Sequence, residues 1–179
     1  VKIYYYVAPD GAYAAVIARL ARRKVVVNTD GIEWKRLLIR MRYVPWISKP
    51  IYLATAVLMF IAEFLASKIP HVTIADSLAI QHYLRHRWKP KNVQYVAYGI
   101  RKLPPVDEKE QLKILSQLGL ERYGYYLTVG RIVAENGLHA AIAAFKQVAT
   151  DHKLVIVGPL NPKDPYVRHL FKLRGADRR

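Results

Sequence analysis

Two carboxylic acids, an indole and three cations crowd into one short stretch of this 179-residue chain, residues 24–36, KVVVNTDGIEWKR. Residues 24–28 read as a strand that is apolar on both faces, which suits a parallel sheet covered by helices on each side. Thr29, Asp30 and Gly31 form a polar turn, and Glu33, Trp34, Lys35 and Arg36 follow it. In open α/β sheets ligands bind beyond the carboxyl ends of the strands. Asp30 and Glu33 are therefore expected at the ligand edge. There Asp30 could orient an incoming hydroxyl or take its proton, or it could cap the turn ahead of Gly31.

A second constellation suits an anion. Residues 125–129 read as a strand, and Gly130 after it lets the backbone approach a ligand closely. Arg131 can fork two hydrogen bonds to a phosphate, or form a surface ion pair. A helix expected over residues 137–149 would turn its free N–H groups and positive end toward the same place. The bulk charge points the same way. The chain has 29 Lys and Arg against 13 Asp and Glu, a net +16. Such a surface attracts phosphate, whether in nucleic acid, lipid headgroups or a nucleotide diphosphate. The basic and aromatic run 85–91 would serve nucleic acid, but no helix-turn-helix, RNP or zinc-finger pattern accompanies it. Cysteine is absent, which excludes disulfides and thiolate metal sites. His82 and His86 share a helical face but lack an evident third ligand, so no metal is expected.

The elements that must position these residues read as follows. Residues 2–8 form a strand stopped by Pro9, Asp10 and Gly11, and residues 12–23 form a helix. With the strand at 24–28 they make a right-handed βαβ unit in a parallel sheet. Residues 37–50 are basic and aromatic. Pro45 and Pro50 break them into a connection or a membrane-facing segment. Residues 51–69 are the most apolar, but the uninterrupted part is too short to span a bilayer. Apolar on all sides, they read first as a core helix and second as one touching lipid. A strand at 71–75 ends at Asp76 and Ser77, with Ser77 capping a helix over 78–88. A strand at 92–97 ends at Tyr98 and Gly99. Residues 102–122, with Pro104, Pro105 and a charged helix, form a linker. A second α/β start follows: strand 125–129, helix 137–149, strand 153–157 and a basic helix 166–174. The expected domains are thus 1–101 and 123–179. The opening run lacks the shape of a secretion signal.

Four blocks appear in order: NTDGIEWKR at 28–36, IADS at 74–77, YVAYG at 95–99 and VGRIVAEN at 129–136. Together they resemble glycosyltransferase family 4, in its rhamnosyltransferase-like branch, over residues 24–159. The resemblance implies an α/β fold of two Rossmann-like parallel-sheet halves (GT-B type), each incomplete here. It implies metal-free, retaining transfer of a hexosyl or rhamnosyl group from a nucleotide-diphosphate sugar to a glycan or lipid-linked acceptor, with no cofactor beyond the donor. Asp30 and Glu33 would then be catalytic. Trp34, as a face for stacking a sugar ring, would line the acceptor cleft with Arg36, Ser77, Tyr98 and Gly99. Gly130, Arg131 and Asn136 would hold the donor diphosphate, although Asn136 stands where the family carries a lysine. Glu63 would face the cleft or a structural partner. The family's Gly-rich loop and E-x7-E pair fall outside this sequence, which leaves turnover by this chain alone open. An anionic membrane surface and self-association stay open as partners, with the cytoplasmic side of the cell membrane as the expected location. The competing readings are a basic nucleic-acid-binding protein and a non-catalytic scaffold.

Overall fold

The computed structural model describes residues 2–7 and 9–179. Among them the first compact unit, Val1–Ile100, holds β1 (Ile3–Val7), α1 (Gly11–Leu20), β2 (Lys24–Thr29), α2 (Glu33–Arg40), α3 (Lys49–Lys68), β3 (Val72–Ala75), α4 (Leu78–Arg87) and β4 (Val93–Tyr95). The second, Arg101–Arg179, holds α5 (Glu108–Gln117), β5 (Tyr125–Val129), α6 (Leu138–Phe145), β6 (Lys153–Val157) and α7 (Pro165–Arg174). The chain is α/β and Rossmann-like, with every described strand pair parallel. Ala8, the expected end of the first strand, lies outside the described residues.

In the first unit the strands run in the order β1-β2-β3-β4. The apolar run of β2 explains its place inside the sheet. Val25 and Val27 are fully buried beneath Ala12, Ala15 and Ala18 of α1 and Ala66 of α3. These small side chains let α1 lie close to the sheet. The helix stops at Leu20, three residues before the expected end, because Arg22 adopts φ 57° and the Arg23 N–H turns back to the Ala18 carbonyl at 2.9 Å. Arg19 remains as the cation of the last turn and donates to the Ile69 carbonyl at 2.9 Å.

The region expected to be a connection begins instead with a helix. Glu33 sits in the first turn of α2 and Arg40 in the last, each where the helix dipole favours it. Pro50 does not break a helix but starts one, because it occupies the first turn of α3, where no N–H is needed. α3 packs on α1 and α2. Its inner face is Ala56, Ala62, Glu63, Ala66 and Ser67. The expectation of a core helix holds for that face alone, since Leu53, Val57, Leu58 and Ile61 lie outside, about half exposed.

Glu63 is 1% exposed. Its Oε1 accepts from the Tyr83 hydroxyl at 2.8 Å and from Trp88 Nε1 at 2.6 Å. The edges of Phe60 and Phe64 meet Trp88 at 5.2 and 5.4 Å between centroids, and the Arg87 guanidinium lies 4.9 Å over the Trp88 ring. A buried carboxylate needs such partners. This one fastens α3 to α4 and to the residue that follows it.

In the second unit β5 and β6 pair from Tyr125 with Lys153 to Val129 with Val157. The helices α6 and α7 pack together beside them around an apolar hollow of about 230 Å³. Residues 102–122, read as a linker, fall in this unit. Asp107 caps α5 by accepting from the Lys109 and Glu110 N–H groups, and Lys153 donates to the Gly119 carbonyl.

The Glu63 contact has a measurable signature. Burial and then the Glu63 hydrogen bond and charge push the Tyr83 phenol from 10.0 up to about 12. The folded state keeps this proton longer than the unfolded chain does. The stabilisation is therefore intact below pH 10.0 and is lost as pH rises to about 12. Tyr83→Phe should cost about 2 kcal/mol at neutral pH, the scale of a hydrogen bond to a charged group, and should remove part of the alkaline loss of stability seen in urea unfolding of the parent.

Candidate active site

Asn28 pairs with Ile74 and Thr29 with Ala75. The next residues off the two strand ends, Asp30 and Asp76, therefore emerge side by side at the carboxyl edge of the sheet. The Asp30 carboxyl group is close enough to influence that of Asp76. Burial, then the Asp30 charge and the hydrogen bond to Asp30, hold Asp76 above the ordinary aspartate range. One Asp76 oxygen is buried without a donor among the described residues. Two carboxylates offer no proton to each other, so the pair is satisfied when one of them remains a carboxylic acid. One pleat back along β2, Asn28 is 3% exposed and donates from Nδ2 to the Tyr98 hydroxyl at 3.1 Å. Its Oδ1 is buried and has no donor among the described residues.

The turn after Asp30 is braced from within. Gly31 takes φ +83°, and the Arg36 guanidinium lies where a Cβ would project. Arg36 donates to the Asp30 carbonyl at 3.3 Å and pairs with Glu33 at 3.1 Å, while the other Glu33 oxygen faces Arg40 at 3.6 Å. Glu33 and Arg36, expected to act on a ligand, are thus engaged with each other and hold the Asp30 turn. Trp34 also has neighbours of its own. Its ring meets Phe60 edge-on at 5.5 Å and lines a shallow apolar groove with Leu38, Leu53, Ala56, Val57 and Phe60. That places the indole with the helices α2 and α3. Ser77 is a cap, its hydroxyl accepting from the Ile80 N–H at 3.2 Å. Tyr98 joins the site through Asn28, whereas Gly99 stands in open space.

In the second unit Gly130, Arg131 and Asn136 line one pocket of about 290 Å³. A side chain at Gly130 would find only Asn136 Nδ2, at 3.8 Å, so the glycine leaves room rather than filling a packing need. Gly158 is the tight position, because a Cβ there would run into the Gly130 carbonyl. The two strand ends meet at that point, with Gly130 N–H donating to the Val157 carbonyl at 2.9 Å. Asn136 donates to the Arg131 carbonyl at 2.7 Å and so shapes the turn. Arg131 itself is exposed, and Gly137, φ +70°, precedes α6 as its N-cap.

The sequence reading passed over Asp76 and Asn28 as working groups, whereas Glu63, expected to face the cleft or a structural partner, has its partners in Tyr83 and Trp88. For Asp76 a signal existed, namely two strands each ending in an aspartate at one sheet edge. His82 and His86 stack at 6.0 Å between centroids, and among the described residues no three His, Asp or Glu gather as a metal site.

The carboxyl pair fixes a pH dependence. A raised Asp76 means that the folded state binds a proton that the unfolded chain releases at 3.8. Its stabilisation is full below that value and is lost as pH rises through the raised one. Asp76→Asn should therefore be more stable than the parent at neutral pH, with the advantage vanishing in acid, as read by urea unfolding across pH. No model of a known protein family matches the sequence and no curated protein matches it, so what the site does must be argued from its geometry.

Proposed function

We propose that the chain performs the donor and acceptor binding of a two-domain Rossmann-like (GT-B) glycosyltransferase, passing a sugar from a nucleotide diphosphate to a hydroxyl of a glycan or lipid-linked acceptor. The observation that carries this reading is the Asp30–Asp76 pair at the carboxyl edge of a parallel sheet. A sugar hydroxyl has a hydrogen to donate, and the two aspartates that end β2 and β3 side by side offer it carboxyl oxygens as acceptors. The ionised member accepts the hydrogen of the attacking hydroxyl. The bond from the sugar's anomeric carbon to the diphosphate breaks, a bond from that carbon to the acceptor oxygen forms, and the hydroxyl proton passes to the carboxylate.

The second unit supplies the donor half of the proposal. Within that unit Arg131 offers a fork to a nucleotide diphosphate from a turn shaped by Asn136, with the open space at Gly130 beside it. The blocks at 28–36, 74–77, 95–99 and 129–136 support the same assignment by their resemblance to family 4 enzymes.

A thermal-shift panel of UDP, GDP and dTDP sugars tests it. One donor class should raise the melting temperature by mass action. Arg131→Ala should abolish that rise without altering the unliganded melting temperature. A chain that ignores every nucleotide sugar yet binds an oligonucleotide with steep salt dependence would be a basic nucleic-acid-binding protein instead.

A further inference from the structure

We propose that the outer face of α3, with the turn before it, docks on the surface of an anionic lipid bilayer. Three observations converge there. The first is charge. Between Glu33 and Glu63 lie 29 residues with no acid and five cations, Lys35, Arg36, Arg40, Arg42 and Lys49. The acids that bound this stretch are both occupied, Glu33 by two arginines and Glu63 by Tyr83 and Trp88. The second is exposure. Trp46, Ile47 and Ile51 are 80%, 69% and 69% exposed, and Leu53, Val57, Ile61 and Phe64 continue as one stripe at helical spacing. A contiguous apolar face of this length is uncommon on a soluble monomer and marks a contact surface. The third is the direction in which the helix is turned. Its one acid points inward and its aliphatic side chains point outward, the reverse of a helix facing water.

The occupant follows from the chemistry of the face. Aliphatic side chains with exposed Arg42 and Lys49 at the N-terminal end of the helix match acyl chains under anionic headgroups, and Trp46 suits the boundary between them. Nucleic acid would meet the cations but offer nothing to Leu53, Val57 and Ile61. A second copy would bring two sets of cations together. The segment Trp46–Lys68 is long and apolar enough to cross a membrane. Crossing would nonetheless pull Glu63 from Tyr83 and Trp88, and Ala66 from beneath the sheet. The helix therefore lies on the bilayer and does not span it.

Flotation of the full chain with vesicles tests this. Binding is expected to phosphatidylcholine mixed with phosphatidylglycerol and to be weak or absent with phosphatidylcholine alone, with a blue shift of tryptophan emission that Trp46→Ala removes. Ile61→Asp and Val57→Asp should each weaken binding at least about tenfold, and Arg42→Gln about fivefold, all with the melting temperature of the parent. Leu160→Asp, an exposed position in the second unit, should bind as the parent does. Binding unaffected by the aspartates, or no binding to anionic vesicles, overturns the proposal. So does a concentration-dependent dimer that Ile61→Asp dissolves, which would assign the face to a second copy. Competition by an oligonucleotide that survives both aspartate variants would assign the cations to nucleic acid and overturn it equally.

Discussion

Parallel strands β2 and β3 end at the same height, and the site of the first unit depends on that alignment. Val26 lies beside Val72, and Thr29 lies beside Ala75. A slip of one residue would send Asp76 to the opposite face of the sheet from Asp30. Several contacts pin the register. The His71 N–H bonds the Val25 carbonyl at 2.9 Å, and the Thr29 hydroxyl reaches across to the Ile74 carbonyl at 2.8 Å, just where the strands stop. The Thr73 hydroxyl ties β3 to α3 through the Ala66 carbonyl at 2.9 Å. A mostly apolar sheet interior would tolerate alternative registers poorly in any case, but these polar bonds sit beside the chemistry and set its geometry directly.

Glu63 plays the corresponding part for the helices. Burying a carboxylate opposes folding unless hydrogen bonds and nearby positive charge offset the loss of water. Tyr83 and Trp88 supply bonds to Oε1, while Oε2 is buried without a donor among the described residues. Lys35 lies 4.8 Å over the Tyr83 ring and Arg87 4.9 Å over the Trp88 ring, so positive charge stands on the rings that hold the acid. The cluster also draws in Trp34 through Phe60 and Arg87. The turn that carries Asp30 and the helix that carries Glu63 thus share one packed aromatic group. Because the acid must face that group, the aliphatic side of α3 is left outward.

Much of the fold was legible in the sequence because it rests on local signals. The apolar runs at 24–28, 72–75, 125–129 and 153–157 became parallel strands, and Ser77 caps α4 as its position ahead of an apolar run implied. What was not legible depends on pairing over distance. The turn that carries Asp76 was placed at the sheet edge of Asp30, but its pairing with a strand some 45 residues earlier, which sets the two aspartates side by side, was not. Glu63 was expected to face the cleft or a structural partner, but which partner became visible only when Tyr83 and Trp88 folded against it. Glu33 and Arg36 were expected to meet a ligand because the helix α2 was not foreseen, and it is the helical spacing that brings them together. Pro50 was read as a breaker because the sequence alone did not show on which side of it the helix would start.

The central claim is that Asp30 and Asp76 stand together at the carboxyl edge of the sheet, close enough for the Asp30 charge to raise Asp76. Carbon-13 NMR titration of the side-chain carboxyl of Asp76 tests it most directly. The account predicts a midpoint above the ordinary value of 3.8, moving down toward it when Asp30 is replaced by Asn, since the charge and the hydrogen bond are then removed and burial alone remains. A midpoint at the ordinary value, or one that Asp30→Asn leaves in place, would contradict the account.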